Sequence, residues 1–478
     1  MSLGKKMFHG IAWNGIERLS TQLIQFIIGI ILARLLTPKE YGILGILLVF
    51  ILISNVFIDS GFTKALIQKQ DRNDNDISTV FIFNFLISLL FYCILWFTSP
   101  YIAIFYDIES LSLLLKILAI SLITNALFAV PSTLITIDLN FKLLAKINFT
   151  SSVFSGIIAI ILAYMGYGIW SLVYQTLIRS TTTLILMWFS LKWKPNWRFS
   201  SKSLKSLFSF GSKLLVASLL NVAVNNLYAL FIAKVISTKD LGYYTRGTQF
   251  SDVAYNSITS VLDNVLLSGL STIQDNKELL IKYMRSILKT TTMLVMPIFL
   301  FLAIMAEPII KILLTEKWLS AVPIMQFFCL ARLVTIISGI NVNLLYVIGR
   351  TDLALKQQYI KITVRIIFFI ISLKYGIIYI AMAELLSTII HFFINTYYPG
   401  KFMQYGAFAQ LKDMKYIILS GIVMSLFTLT TLYITNNILV QIAIAPIIAI
   451  VAYFISLKIF KIDELNILVL KVKEIFKK

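Results

Sequence analysis

Apolar runs of roughly 20 residues, the length a helix needs to cross a hydrocarbon core, follow one another along almost the whole chain with only short polar breaks between them. They lie near 11–36, 43–66, 79–105, 113–137, 142–164 and 168–191, then near 214–236, 242–270, 286–313, 321–348, 356–374, 376–399, 414–434 and 437–458. Hydrocarbon offers the backbone no water to bond, so runs of this kind are expected as helices that satisfy their own N–H and C=O groups. The expectation is an all-α integral membrane protein of about fourteen transmembrane helices. With 59% hydrophobic and only 13% charged residues, against about 25% charged in ordinary soluble domains, a large soluble enzyme is excluded. None of the polar breaks is long enough to hold a soluble catalytic domain.

The formal charge of +20 raises the question of nucleic acid, but the cations sit in short loops between apolar runs, where the positive-inside rule accounts for them. Of 42 Lys and Arg residues, 29 fall in alternate loops and both terminal segments, against 7 in the intervening loops. This bias places both termini in the cytoplasm and leaves no case for a nucleic-acid partner. Cys93 and Cys329 stand inside apolar runs as small buried hydrophobes. The basic start MSLGKKMFHG leads into an uncleaved first span, with no small-residue cleavage site. Past Lys461, apolar residues mixed with Lys471, Lys473, Lys477 and Lys478 suit a basic amphipathic helix on the inner membrane surface.

An internal repeat organises the runs. Ala33 to Gly42 (ARLLTPKEYG) aligns without gaps on Ala233 to Gly242 (AKVISTKDLG), and Phe8 pairs with Phe208 at the same offset. Six spans separate the copies, so both enter the membrane in the same direction. The expected architecture is two six-helix lobes related by a pseudo-twofold axis along the membrane normal, with residues 1–200 as the first lobe (helices 1–6), 201–400 as the second (helices 7–12), and 401–478 holding helices 13 and 14 and the tail.

The first copy also carries a polar face. Asn14, Arg18, Thr21 and Gln25 recur at helical spacing on one side of the first span, and Asn221, Asn225 and Tyr228 mark the corresponding stretch of the seventh. Arg18 stands where the second half has Ser218, so an anion site built from this pair is asymmetric. Arg179 in the sixth run, Arg332 in the tenth, Arg365 in the eleventh and Asn256 in the eighth add further polar groups. A charge in hydrocarbon costs at least about 2.5–3.5 kcal/mol on insertion scales, so each needs a reason. Arginines lining a cavity would hold an anionic group through paired N–H donors; the bland alternative pairs each with a carboxylate or lets it snorkel to the interface. Glu17, Asp252, Glu384 and His391 are candidates for coupling a proton or sodium ion, or else partners of those arginines, whereas Asp59 and Asp263 near the cytoplasmic ends read as structural. Two histidines, no HExxH, no paired-Cys motif and no Gly-rich phosphate loop leave no metal site, no cofactor and no hydrolytic centre to propose.

Several short motifs, in this order, complete the reading: Asp59-Ser-Gly-Phe-Thr-Lys-Ala-Leu-Ile-Gln68, Gly166-Tyr-Gly-Ile-Trp-Ser-Leu-Val173, Trp193-Lys-Pro195, Phe210-Gly211, Leu241-Gly-Tyr-Tyr244, and Ala306-Glu-Pro-Ile309 with Trp318. From the first span to about Arg350 the chain resembles the Wzx-related polysaccharide biosynthesis exporters, the lipid-linked oligosaccharide flippases. The resemblance implies the fold of the multidrug and oligosaccharidyl-lipid exporter superfamily, a place in a bacterial inner membrane, and as cargo an O-antigen, capsule or exopolysaccharide unit on undecaprenyl pyrophosphate. Such a protein is a transporter and not an enzyme; it works by alternating access, and other polysaccharide assembly proteins are its expected partners. The rival functions are a drug or cation antiporter of the same fold, which would need an acidic cavity, and a membrane-embedded glycan polymerase or ligase, which would need a large outward loop.

Overall fold

A computed structural model of the chain describes residues 3–271, 273–274 and 276–465. The tail expected on the membrane surface lies, from residue 466 onward, outside the described residues. Two compact units are formed by Met1–Gly242 and Tyr243–Lys478.

The first unit holds α1 (Leu3–Leu35), α2 (Pro38–Asp59), α3 (Phe62–Gln68), α4 (Asp74–Tyr106), α5 (Ser110–Leu118), α6 (Ile120–Ile137), α7 (Phe141–Tyr164), α8 (Ile169–Ser190) and α9 (Ser201–Val235), and α10 (Thr238–Ser271) begins in it. α11 (Lys277–Ile304), α12 (Ala306–Leu314), α13 (Val322–Val347), α14 (Thr351–Ser372), α15 (Ile377–Met403), α16 (Ala407–Ile434) and α17 (Ile438–Ile459) make up the rest of the second. Among the described residues, ten helical stretches are long and apolar enough to cross a membrane. Four further helices of 22 residues or more, α1, α8, α10 and α14, stand outside that set; within α1 the described stretch Ser20–Leu35 is apolar but shorter. Those four carry Thr21, Gln25, Arg179, Asp252, Asn256 and Arg365, while Asn221, Asn225 and Tyr228 stand on α9, Arg332 on α13, and Glu384 and His391 on α15.

The repeated turn shows how local chemistry starts these helices. Thr37 accepts from the Glu40 N–H, and Glu40 Oε2 accepts from the Thr37 N–H at 2.7 Å, a capping box behind Pro38 at the first helical position. In the second copy Ser237 Oγ accepts from the Asp240 N–H at 3.0 Å and donates to Asp240 Oδ2 at 2.5 Å. The two turns then meet. A Cβ on Gly42 would lie 1.7 Å from the Thr238 carbonyl oxygen, and a Cβ on Gly242 would lie 1.8 Å from the Pro38 carbonyl oxygen. The contact is reciprocal at an offset of 200 residues, and it needs glycine on both sides because backbone touches backbone.

Elsewhere in the first unit, Ser60 and Gly61 take consecutive left-handed conformations, φ 44° and 74°, and split the apolar run 43–66 into α2 and α3. Asp59 Oδ1 accepts the Thr63 N–H across that break, which gives this carboxylate a structural role. Phe62, Val80, Phe81, Val130 and Leu207 form a core that ties α3, α4, α6 and α9 together. In the second unit, Trp318 is fully buried with its edge toward Tyr243, and Tyr244 packs edge-on against Phe328.

Candidate functional site

In the first unit, polar side chains gather between α1, α7 and α8. α1 and α7 run in parallel: Asn148 Nδ2 donates to Glu17 Oε1 at 2.8 Å, and eight residues further along α7 the Gly156 position faces Ile28. One turn above Glu17, Thr21 is buried, as are Ser151 and Ser152 on α7, and none of the three hydroxyls meets a hydrogen-bond partner among the described residues. One turn above Thr21, with the Gln25 amide oriented so that its oxygen faces the guanidinium, that oxygen accepts from both Nη1 and Nη2 of Arg179 on α8, the latter at 2.7 Å. Glu17 supplies the acidic charge in the surroundings of Arg179. Glu17, Thr21, Gln25 and Arg179 are thus brought into one cluster by helical spacing on α1 and packing of α7 and α8. The side chains of Asn14 and Arg18 lie outside the described residues.

Asn221 and Asn225 do not join this cluster. Both are exposed on α9, and Asn225 Nδ2 donates back to the Asn221 carbonyl at 2.9 Å and to Asn221 Oδ1 at 2.7 Å. Their four-residue spacing serves a bond within one helix. Tyr228, one turn on, is half-buried.

In the second unit the ionisable groups stand in two pairs, each joining a polar helix to an apolar one. Arg332 Nε of α13 donates to Asp252 Oδ1 of α10 at 2.7 Å, with the guanidinium over the rings of Tyr255 (5.2 Å to the centroid) and Phe328 (5.4 Å). Asp252 takes one of the five donors of the fork, and no other hydrogen-bond acceptor among the described residues meets it. Arg365 Nη2 of α14 donates to Glu384 Oε1 of α15 at 2.5 Å, and Glu384, 9% exposed, also acts electrostatically on Arg332. His391, two turns along α15, places Nε2 at 3.0 Å from the Lys361 carbonyl oxygen; a carbonyl only accepts, so that nitrogen carries the proton. Asn256 is exposed on α10, and the Asp263 side chain lies outside the described residues.

Two buried amide contacts and one half-buried one complete the polar interior. Asn341 and Gln410 exchange hydrogen bonds at 2.6 and 3.1 Å, Asn395 Nδ2 donates to Ser338 Oγ at 2.7 Å, and Asn125 Nδ2 reaches Asn55 Oδ1 at 3.5 Å. Asn395 follows Glu384 and His391 at helical spacing and is legible with them, whereas no such stripe marks Asn55, Asn125, Asn341 or Gln410. Asn148, Ser151, Ser152 and Ser155 are different, since their spacing puts them on one helical face, and the same test that found the α1 stripe finds them. Chemically, guanidinium groups held at one edge by a carboxylate or an amide, beside hydroxyls and amides, can receive an anion and hydrogen-bond hydroxyl-rich matter.

Residues 31–323, more than half of the chain, match the family described as polysaccharide biosynthesis protein. The teichuronic acid biosynthesis protein TuaB of Bacillus subtilis strain 168 is 26% identical over 356 residues, 74% of each chain. The lipopolysaccharide biosynthesis protein WzxC of Escherichia coli strain K12 is 22% identical over 367 residues, 76% of this chain and 74% of that one. Among solved structures, the lipid II flippase MurJ in an inward closed conformation superposes with a TM-score of 0.75 at 20% identity, covering 94% of this chain and 99% of that one. An inward-facing multidrug resistance MATE family transporter superposes with a TM-score of 0.62 at 15% identity, covering 82% and 100%. At such identities the structures speak for the fold, a helical one of the MurJ and MATE kind. By the extent of the family match, this chain belongs to the polysaccharide biosynthesis protein family.

Proposed function

We propose that the protein flips an oligosaccharide linked to undecaprenyl pyrophosphate from the cytoplasmic to the periplasmic leaflet by alternating access. The observation that carries the reading is the set of guanidinium groups held within the helices, Arg179 against Gln25 and Arg332 against Asp252, in a member of a family whose relatives are named for teichuronic acid and lipopolysaccharide biosynthesis. In this reading α1, α8, α10 and α14 cross the membrane together with the ten apolar stretches, giving fourteen spans with both termini in the cytoplasm. Their polar faces are turned from lipid by pairing with neighbouring helices.

The glycan and pyrophosphate pass through a polar path while the prenyl tail stays in lipid. Arg18, Arg179 and Arg332 neutralise the pyrophosphate; Asn14, Thr21, Gln25, Asn221, Asn225, Tyr228 and Asn256 meet sugar hydroxyls. Glu17, Asp252, Glu384 and His391 are the groups through which a proton or sodium gradient drives the cycle. Hydrogen bonds to a charged group contribute about 1.5–3 kcal/mol each, so the charge-neutral triple variant R18Q/R179Q/R332Q is expected to lower export of surface glycan in cells by at least tenfold at unchanged membrane levels of the protein. Undiminished surface glycan in that strain, measured by immunoblot, would show that these arginines do not carry the substrate.

A further inference from the structure

The ten residues Leu191–Ser200 join α8 to α9 as an extended strap with an unusual construction. Leu191, Trp193 and Pro195 are half-buried while Lys192, Lys194 and Asn196 are exposed, the two-residue alternation of an extended chain lying on a surface. Three hydrogen bonds pin the strap to the start of α4: the Asn196 N–H to Ser78 Oγ at 3.2 Å, Asn196 Nδ2 to Asn75 Oδ1 at 3.2 Å, and the Ser200 N–H to Thr79 Oγ1 at 3.0 Å. Trp193 and Trp197 both lie edge-on against Phe81, at 5.8 and 6.0 Å.

Trp197 nevertheless remains 67% exposed and adopts φ 53°, a left-handed conformation that costs a bulky residue on the order of 1–3 kcal/mol and persists only where the surroundings impose it. The strain keeps an indole at the surface beside Phe199, itself 49% exposed. Around these rings stand Lys192, Lys194, Arg198, Lys202 and Lys205, all exposed. No Asp or Glu occurs between Asp138 and Asp240, and none of the five cations has an ion pair among the described residues. Other cations are neutralised within the protein: Lys69 by Asp76, Arg285 by Asp413, Lys289 by Glu464 and Arg350 by Asp352.

We propose that the strap Leu191–Ser200, with the first turns of α9, is a docking surface for the headgroups of anionic phospholipids. Five uncompensated cations beside exposed indole and phenyl rings match the headgroup layer, where aromatic residues settle at the interface and basic clusters meet phosphate. The strap is tethered ahead of the apolar stretch Leu214–Val235 of α9, so a leaflet is its constant neighbour, whereas an acidic protein would gain nothing from the exposed rings. The assignment is independent of the glycan and of which leaflet faces the cytoplasm.

The test is native mass spectrometry of the full chain released from mixed phosphatidylglycerol and phosphatidylcholine micelles. The wild type is expected to retain phosphatidylglycerol preferentially. At roughly fivefold per surface cation, the K192Q/K194Q/R198Q variant should lose that preference by at least tenfold at an unchanged melting midpoint, and W197A should lower retention of both lipids. The control K401Q/K412Q, exposed cations in the last turn of α15 and the second turn of α16, should keep the wild-type ratio. Raising the salt to about 1 M, where the Debye length is roughly 3 Å, should erase the preference in the wild type without any substitution. The proposal is overturned by a ratio unaffected by salt or by the triple variant, by an equal loss in the control, or by capture of a poly-glutamate peptide without any preference between the two lipids.

Discussion

Valine at Gly42 is expected to lower stability by about 3 kcal/mol or more, the upper end of what overpacking costs, and to reduce the yield of folded protein sharply. The reason is the partner. A Cβ at this position would stand 1.7 Å from the carbonyl oxygen of Thr238, with the carbonyl carbon at 2.7 Å, and neither atom belongs to a side chain that can rotate away. Gly42 sits within α2, so its glycine is required by the neighbour and not by its own φ. Gly242→Val should behave alike, because its Cβ would meet the Pro38 carbonyl oxygen at 1.8 Å. Gly339, with nothing within 4 Å of its Cβ position, supplies the contrast: Gly339→Ala should leave the midpoint unchanged or raise it slightly, since alanine favours a helix interior by roughly 0.5–1 kcal/mol. Thermal unfolding of the three variants in detergent measures the difference, and a wild-type midpoint for Gly42→Val would mean that the two turns do not touch.

Arg365→Leu is expected to cost about 3–5 kcal/mol, the range for removing one partner of a buried ion pair. Its carboxylate, Glu384, is 9% exposed and bonded at 2.5 Å, so removing the guanidinium strands an anion in an apolar interior. The double variant Arg365→Leu/Glu384→Leu should recover much of the loss, since two apolar side chains of similar size replace two desolvated charges. A double-mutant cycle on thermal midpoints reads the coupling directly; additive effects of the two single changes would show that the pair contributes nothing as a pair. Lys311 and Glu307, an i,i+4 pair at 2.7 Å with the lysine half-buried and the glutamate exposed, are the surface counterpart, and Lys311→Ala should leave the midpoint nearly unmoved, as water already screens both charges.

These results also separate what spacing reveals from what packing reveals. The stripe Asn14, Arg18, Thr21, Gln25 was legible because a helix repeats every 3.6 residues and an apolar run makes each polar exception conspicuous; that Glu17 joins Thr21 and Gln25 through Asn148 was not. The same rule applied to Asn221 and Asn225 found two residues that bond each other on an exposed face, since periodicity identifies a face without saying what it meets. Arg332 and Arg365 stood out as buried charges, but whether a carboxylate or a substrate faced them was open. Asp252 lies 80 residues from Arg332 in sequence, and Glu384 lies 19 from Arg365. No local pattern couples residues on different helices.

The helical class, the apolar spans and the repeated turn at Ala33–Gly42 and Ala233–Gly242 were determined by the sequence alone, because backbone bonding in an apolar medium leaves one local solution and a repeat is visible as text. Tertiary structure alone decided that the glycines of the two turns pack reciprocally on each other's chain, that Gln25 rather than a carboxylate holds Arg179, and that the cations of the strap have no ion pair among the described residues. Each of these is a contact between segments far apart in the chain, and such contacts are set by how helices pack in space, which sequence spacing does not encode.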